Sequence, residues 1–256
     1  MKPKTPEEIK NIRISGKILA RLLEMIGKEI KAGMTGLEIE KLCIQELKRL
    51  GGKPVILGVP SGSPKVPDFP NTICISSNDA VVHGIPNNVP FKDGDIVGFD
   101  YCVLYNGMIT DAARTYIVGG QARSKREQEL VEITKQSLDA GINVIKAGSK
   151  TGDIGSAVQA VLDKHNLGIV RELVGHGVGH EMHEPPEIPN YGFAGTGTML
   201  KPGMTIAVEP MATLGEWRVV VDPDGWTIRT RDGSRSAHFE DTLLVTEDGV
   251  EILTRL

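Results

Sequence analysis

The sequence predicts an α+β protein in which two pairs of helices pack on one side of a curved, mainly antiparallel sheet, the halves related by a pseudo-twofold axis. Three observations carry this expectation. Two amphipathic helical patterns open the chain and two more begin near residue 125, each pair followed by short apolar runs punctuated by turn residues. The stretch "IKAGMTGLEIEKL" at 30–42 resembles "IKAGSKTGDIGSAV" at 145–158 once one inserted residue is allowed. The Asn106-Gly107 dipeptide between two apolar runs is a strong hairpin signal.

A chain of 256 residues can bury a sizeable core, as one large domain or two small ones. Duplication decides for a single domain over 1–256, with pseudo-repeats at roughly 5–120 and 125–250, because strands from both halves complete one sheet. Hydrophobic residues at 40% and charged ones at 24% are ordinary for a soluble globular protein, and a net charge of −4 argues against a dedicated nucleic-acid binder. Cys43, Cys74 and Cys102 share no CxxC spacing, so neither a disulfide framework nor a thiolate zinc site is expected, and a reducing, cytosolic compartment is. No segment approaches the roughly 20 apolar residues that span a bilayer.

The first helix is expected to start at a Thr5 cap, with Pro6 at its first position and Glu8 closing a capping box. Ile9, Ile12, Leu19, Leu22, Leu23, Ile26 and Ile30 form its apolar face, and Gly33 ends it. A second helix is expected over Thr35–Leu50, stopped by Gly51-Gly52. "TICIS", "AVVHGIP", "DIVGFDYCVLY" and "GMITDAARTYIV" read as strands. After residue 125 come a long helix, "SKREQELVEITKQSLDAGINVIKAG", and a second one capped by Thr151. The strand-like segments "IVRELVG", "MTIAVEPMA", "GWTIRT" and "AHFEDTLLVTEDGVEIL" close the chain.

Three of the six histidines crowd into "GHGVGHEMHEPPE" at 175–187. A self-contained HExxH-type zinc helix is excluded: His180 and His183 are one residue too close. Gly175, Gly177 and Gly179 would also disfavour a helix by about 1 kcal/mol each. Acids inside apolar strands are more informative. Asp100 alternates with Ile96, Gly98, Cys102 and Leu104, and Asp111 with Ile109, Ala113, Thr115 and Ile117. Whether the turn is Tyr105-Asn106 or Asn106-Gly107, the two acids share a face, directly or diagonally opposite. On a buried face such a pair needs a bridging cation or a shared proton; on a solvated face the two are ordinary surface groups. Glu209 in "TIAVEPM" and Glu240 in "AHFEDTLLV" repeat the anomaly.

The ordered series Asp100, Asp111, "GHGVG" with His176, Glu209-Pro210 and Glu240 resembles the metal-ligand set of the pita-bread metallopeptidases. Within them it is most similar to the short bacterial type I methionine aminopeptidases. The likeness spans the whole chain, through "ISSNDAVVHGIP", "KDGDIVGFDY", "GHGVGHEMHEPPEIPNYG", "LKPGMTIAVEP" and "DGWTIRTRDGSRSAHFEDTLLVTEDGVEILT". The resemblance implies the pita-bread fold. It also implies that Asp100, Asp111, His176, Glu209 and Glu240 bind two divalent ions (Co, Mn, Fe or Zn), with Asp111 and Glu240 bridging. By the same likeness Glu209 shuttles a proton, His183 meets the substrate carbonyl, His83 positions the scissile amide, and Phe69, Cys74, Met182 and Trp226 surround the methionine side chain. Two positions depart from the family pattern: Met182 where an aromatic residue is expected, and Phe69 where tyrosine is common. His165, His180 and His238 match no functional position and are expected to be structural.

The activity implied is removal of the initiator methionine, when the second residue is small, from nascent chains. The resemblance implies the nascent N-terminus at the ribosome as partner, with no sequence-specific nucleic acid, no membrane and a monomeric state. A proline-specific prolidase or aminopeptidase P relative would share the ligands but usually carries an extra N-terminal domain. A non-catalytic pita-bread binding protein would have lost ligands, and all five are present.

Overall fold

A computed structural model describes residues 2–256. Helix α1 (Pro6–Glu29) begins as expected: the Thr5 hydroxyl accepts from the Glu8 amide, and the Glu8 carboxylate accepts from the Thr5 amide at 2.7 Å. It ends at Ile30, short of Gly33, whose positive φ of 91° turns the chain toward α2 (Gly36–Leu50). Thr35 caps α2 through a second capping box with Glu38, and Gly51, in the left-handed region, closes it. Strands β1 (Lys53–Pro54), β2 (Cys74–Ser77), β3 (Ala80–Val82), β4 (Ile96–Tyr105) and β5 (Met108–Ile117) follow. The second half repeats the order with α3 (Lys125–Asn143), α4 (Thr151–Lys164), β6 (Gly168–Ile169), β7 (Gly175–Gly177), β8 (Glu184–Ile188), β9 (Thr205–Val208) and β10 (Met211–Thr213). The last strands are β11 (Val219–Val221), β12 (Ile228–Thr230), β13 (Ser236–His238), β14 (Asp241–Val245) and β15 (Val250–Ile252).

Among the described residues every strand pair is antiparallel, and the strands form four sheets: β4 with β1 and β2 on one edge and β5 on the other, β13-β10-β6, β11-β12-β3, and β15-β14-β9-β7-β8. The halves are stitched together where β5 meets the segment between β13 and β14. Ala113 and Glu240 exchange backbone hydrogen bonds there, and the Thr242 hydroxyl sits between the amide and carbonyl of Asp111. Two cores lie beneath the helix pairs. Val97, Phe99, Tyr101 and Val103 of β4 point toward Leu19, Leu22 and Ile26 of α1; Ile206, Val208 and Leu243 pack with Leu138, Ile154 and Val158 of α3 and α4. The period-two alternation of β4 therefore sends Gly98, Asp100 and Cys102 to the face away from the helices.

Two sequence expectations are corrected. Thr151 does not cap α4: it is the first helical residue, Lys150 precedes it, and the Lys150 amide donates to Asp153 at 2.7 Å. The Thr151 hydroxyl accepts instead from the Thr198 amide, so a loop distant in sequence claims the group that local rules assign to the cap. "IVRELVG" is not one strand, since only its ends join ladders; Arg171 in its middle lies over the rings of Tyr191 and Trp217.

Candidate metal centre and apolar pocket

The β4–β5 hairpin turns at Asn106-Gly107, both with positive φ, as the tight turn requires. The register then sets Asp100 opposite Ala113 and Asp111 opposite Cys102, so the two acids are diagonal neighbours on one face. Glu209 and Glu240 stand where two strands break. Pro210 separates β9 from β10, Phe239 and Glu240 separate β13 from β14, and the Asp241↔Val208 pairing brings Glu240 and Glu209 side by side at the opening of the ladder. His176 comes from β7, paired with Ala207 of β9.

The result is a buried cluster. His176 Nε2 lies 3.3 Å from Glu209 Oε1 and 4.0 Å from Asp111 Oδ2. One donor atom each from His176, Glu209 and Glu240 falls within a mutual 4.8 Å, as do donors of Asp111, His176 and His183, and of Asp100, Cys102 and Asp111. The His176 Nδ1–H donates to the Gly177 carbonyl at 2.9 Å, which leaves the Nε2 lone pair facing the carboxylates. Burial also holds His176 below the ordinary imidazole value, in its neutral form.

Burial, with Asp111 next to them, pushes the carboxyls of Asp100, Glu209 and Glu240 well above their ordinary values. Among the described residues no Lys or Arg side chain pairs with any of the four acids. Asp111 Oδ1 and Glu240 Oε1 are buried without a hydrogen-bond partner. Unpartnered oxygens among crowded carboxylates cost several kcal/mol and are relieved by cations, so the donor chemistry fits divalent ions.

Beside the cluster opens a cavity of about 150 Å³, lined by Ile56, Val59, Phe69, Cys74, Cys102, Met182 and Trp226, with His83, Asp100, Asp111 and His183 at its polar end. This is the scale of one side chain, below the roughly 300–1,000 Å³ of pockets for larger ligands. Phe69 and Trp226 meet edge to face at 5.2 Å, and the indole N–H donates to the Pro67 carbonyl at 2.9 Å, which fixes that wall. His83 follows β3 with φ of +57°, a left-handed backbone rare for a non-glycine residue, and burial lowers its pKa to about 4. The His183 ring stands at 88° to that of His176, centroids 4.4 Å apart.

The residues given a metal, catalytic or pocket role in the sequence thus lie together in this cluster and cavity. Two neighbours were missed. Cys102 shares the Asp100 face of β4, and His238, read as structural, is buried with Nε2 unpartnered 3.8 Å from Glu209 Oε2 and 4.0 Å from Glu240 Oε2. The signal in both cases was spacing: each lies two residues from an anomalous acid. His180 faces away from the cluster. Its ring bridges Glu8, 2.7 Å from Nε2, and Lys4, 3.2 Å from Nδ1.

A sequence profile of metallopeptidase family M24 matches residues 10–247. The chain belongs to this family. Members similar to it include the methionine aminopeptidase of Clostridium perfringens, 38% identical over 98% of this chain and 97% of that protein, and methionine aminopeptidase 1 of Bacillus subtilis, 40% identical over 99% and 98%. The crystal structure of methionine aminopeptidase from Thermotoga maritima superposes with a TM-score of 0.95 at 44% identity, each chain fully covered. Prolidase from Pyrococcus furiosus, at 26% identity, superposes with a TM-score of 0.76 over 99% of this chain and 65% of that one. The M24 family carries the pita-bread architecture expected from the sequence, and its members are metal-dependent peptidases.

Proposed function

We propose that this chain is a methionyl aminopeptidase that removes the N-terminal methionine of nascent polypeptides whose second residue is small. One observation carries the reading: an apolar cavity of single-side-chain size abuts a buried carboxylate–imidazole cluster. Asp100, Asp111, His176, Glu209 and Glu240 would hold two divalent ions drawn from Co, Mn, Fe or Zn. Four carboxylates match the charge of two such ions, and the mixed oxygen and imidazole donors suit these metals. When bound, the pair supplies a water acidic enough to ionise near neutral pH and polarises the scissile carbonyl.

The chain's own groups do the rest. Ile56, Phe69, Cys74, Met182 and Trp226 enclose the methionine side chain; thioether and aromatic walls suit a flexible sulfur chain. That seats the scissile carbonyl over the cluster. Glu209 accepts the proton of the attacking water and passes it to the leaving amine. His183 donates to the oxygen on which negative charge develops, and His83 hydrogen-bonds the scissile amide. The low pKa of His83 keeps it neutral, able to donate from one nitrogen and accept at the other.

The chain is further proposed to be one catalytic domain built from two repeats, near 5–120 and 125–250. Matching hydrogen bonds support this: Gly33 N to Phe91 O and Phe91 N to Met34 O in the first half answer Gly148 N to Leu200 O and Leu200 N to Ser149 O in the second. It acts as a cytoplasmic monomer on chains leaving the ribosome. The three cysteines are unpaired, as a reducing compartment requires, and among the described residues no helix is long and apolar enough to cross a membrane.

The test is hydrolysis of Met-Ala-Ser and Ala-Pro-Ala by the purified protein with Mn, Co or Fe added. Cleavage of Met-Ala-Ser alone is expected. Cleavage only of Ala-Pro-Ala would assign the proline-specific activity instead, and cleavage of neither would favour a non-catalytic role.

A further inference from the structure

Cys102 has no part in the reading above, yet its sulfur is one of three donor atoms, with a carboxylate oxygen each from Asp100 and Asp111, that lie within a mutual 4.8 Å. The strand register produces this placement: Cys102 is opposite Asp111 across the β4–β5 pair and two residues from Asp100 on the same face. Donors on one tetrahedral zinc-like ion, with metal–sulfur near 2.3 Å and metal–oxygen near 2.2 Å, stand about 3.7 Å apart, so a group already within a mutual 4.8 Å closes on an ion with shifts of no more than about 1 Å. The thiol is buried at 2% exposure, and Asp111, at 5%, keeps Oδ1 without a partner. An unsatisfied buried oxygen beside a buried thiol asks for a cation. Cys74 lines the same cavity and stands opposite Asp100, but belongs to no such donor group, and Cys43 is packed in the core beneath α1 and α2.

We infer that Cys102 Sγ is an additional ligand on the Asp100 side of the centre, giving it an S,O,O donor set selective for thiophilic divalent ions of the zinc, cobalt and cadmium class. The inference rests on the proposed metal centre. On binding, the S–H bond breaks, the sulfur lone pair goes to the ion and the proton leaves to solvent. A thiolate discriminates where oxygen donors do not: it strengthens binding of soft and borderline ions and leaves that of manganese or magnesium largely to the carboxylates.

The experiment is anaerobic titration of the metal-free full chain with Co(II), followed by absorption, for the wild type, Cys102→Ser, Cys102→Ala and Cys74→Ser. Visible d–d bands report uptake at the centre; a near-ultraviolet thiolate-to-cobalt charge-transfer band reports sulfur ligation. The wild type and Cys74→Ser are expected to show both. The two Cys102 variants are expected to keep the d–d bands, which also shows that they fold, and to lose the charge-transfer band. Uptake by the wild type without that band, or a band that survives in both Cys102 variants, overturns the assignment of Cys102 while leaving the centre intact. No d–d bands in any variant overturns the metal centre itself and the inference with it.

Discussion

Replacing Lys4 by methionine removes a charge that the fold has enclosed and keeps an unbranched chain of similar length. The Lys4 side chain is fully buried, and its ammonium donates to both Glu184 oxygens at 3.0 Å and to His180 Nδ1 at 3.2 Å. Glu184 directly follows His183, and its Oε1 also accepts from the amides of His180 at 2.6 Å and Glu181 at 3.2 Å, so the carboxylate ties the 179–184 loop to the start of the chain. Breaking a buried ion pair from one side costs about 3–5 kcal/mol. Oε1 keeps its two amide donors, whereas Oε2 loses the ammonium, which sets the expected loss near the lower end, about 3 kcal/mol. At about 2–4 °C per kcal/mol for a chain of this size, Tm falls by about 6–12 °C. Urea and thermal unfolding of the metal-free protein measure the loss, with Lys4→Arg as the charge-preserving control, and amide exchange across 179–184 should accelerate in Lys4→Met alone. A loss under about 1 kcal/mol with unchanged exchange would refute the reasoning, because it would mean that the pair behaves like an exposed one.

Glu209→Gln keeps the shape of the side chain but removes its capacity to take a proton; turnover of a Met-Ala-Ser peptide should drop by at least about 10²–10⁴-fold with circular dichroism unchanged, and turnover within tenfold of wild type would exclude Glu209 as the shuttle. Stripping divalent metal with a chelator should lower Tm, and adding an ion back at about 1,000 times its Kd should return about 4 kcal/mol of stability. If the added ion leaves the unfolding curve in place, the carboxylates bind none. The Glu8 pKa is lowered to about 2, first by its hydrogen bond with His180 and then by the Thr5 amide. A folded value below the ordinary 4.5 contributes stability that is full above pH about 4.5 and lost as pH falls toward about 2. Glu8→Gln should therefore flatten the acid limb of the stability curve in that window, and an identical limb in both proteins would contradict it.

The helices were legible because their signals are local. Thr5-Pro6 with Glu8, Thr35 with Glu38, and Gly51 act within a turn of one another, and all appear where the letters place them. The Asn106-Gly107 turn was one of two readings in the sequence; the structure selects it, and it makes Asp100 and Asp111 diagonal rather than directly opposite. Locality also explains the errors. Thr151 follows the cap rule in sequence, but its hydroxyl is taken by Thr198, 47 residues away. "MTIAVEPMA" and "AHFEDTLLV" read as continuous strands, yet each breaks at its acid, and the two halves of each join different ladders.

The sequence by itself determined the α+β class, the caps that open α1 and α2 and the one that closes α2, the shared face of Asp100 and Asp111, and, through an ordered set of residues, the family. These depend on period, turn chemistry and residue order along the chain. Only the tertiary structure decided that Glu209 and Glu240 lie side by side, because 31 residues separate them and the β9–β14 register alone brings them together. It also decided that His176 of "GHGVGHEMHEPPE" lies against Glu209, that His183 packs against its ring within reach of Asp111, and that His180 turns outward to Lys4 and Glu8. It set Cys102 and His238 against the carboxylates as well. Burial and proximity across strands belong to the folded chain, and they turn four scattered acids into one site.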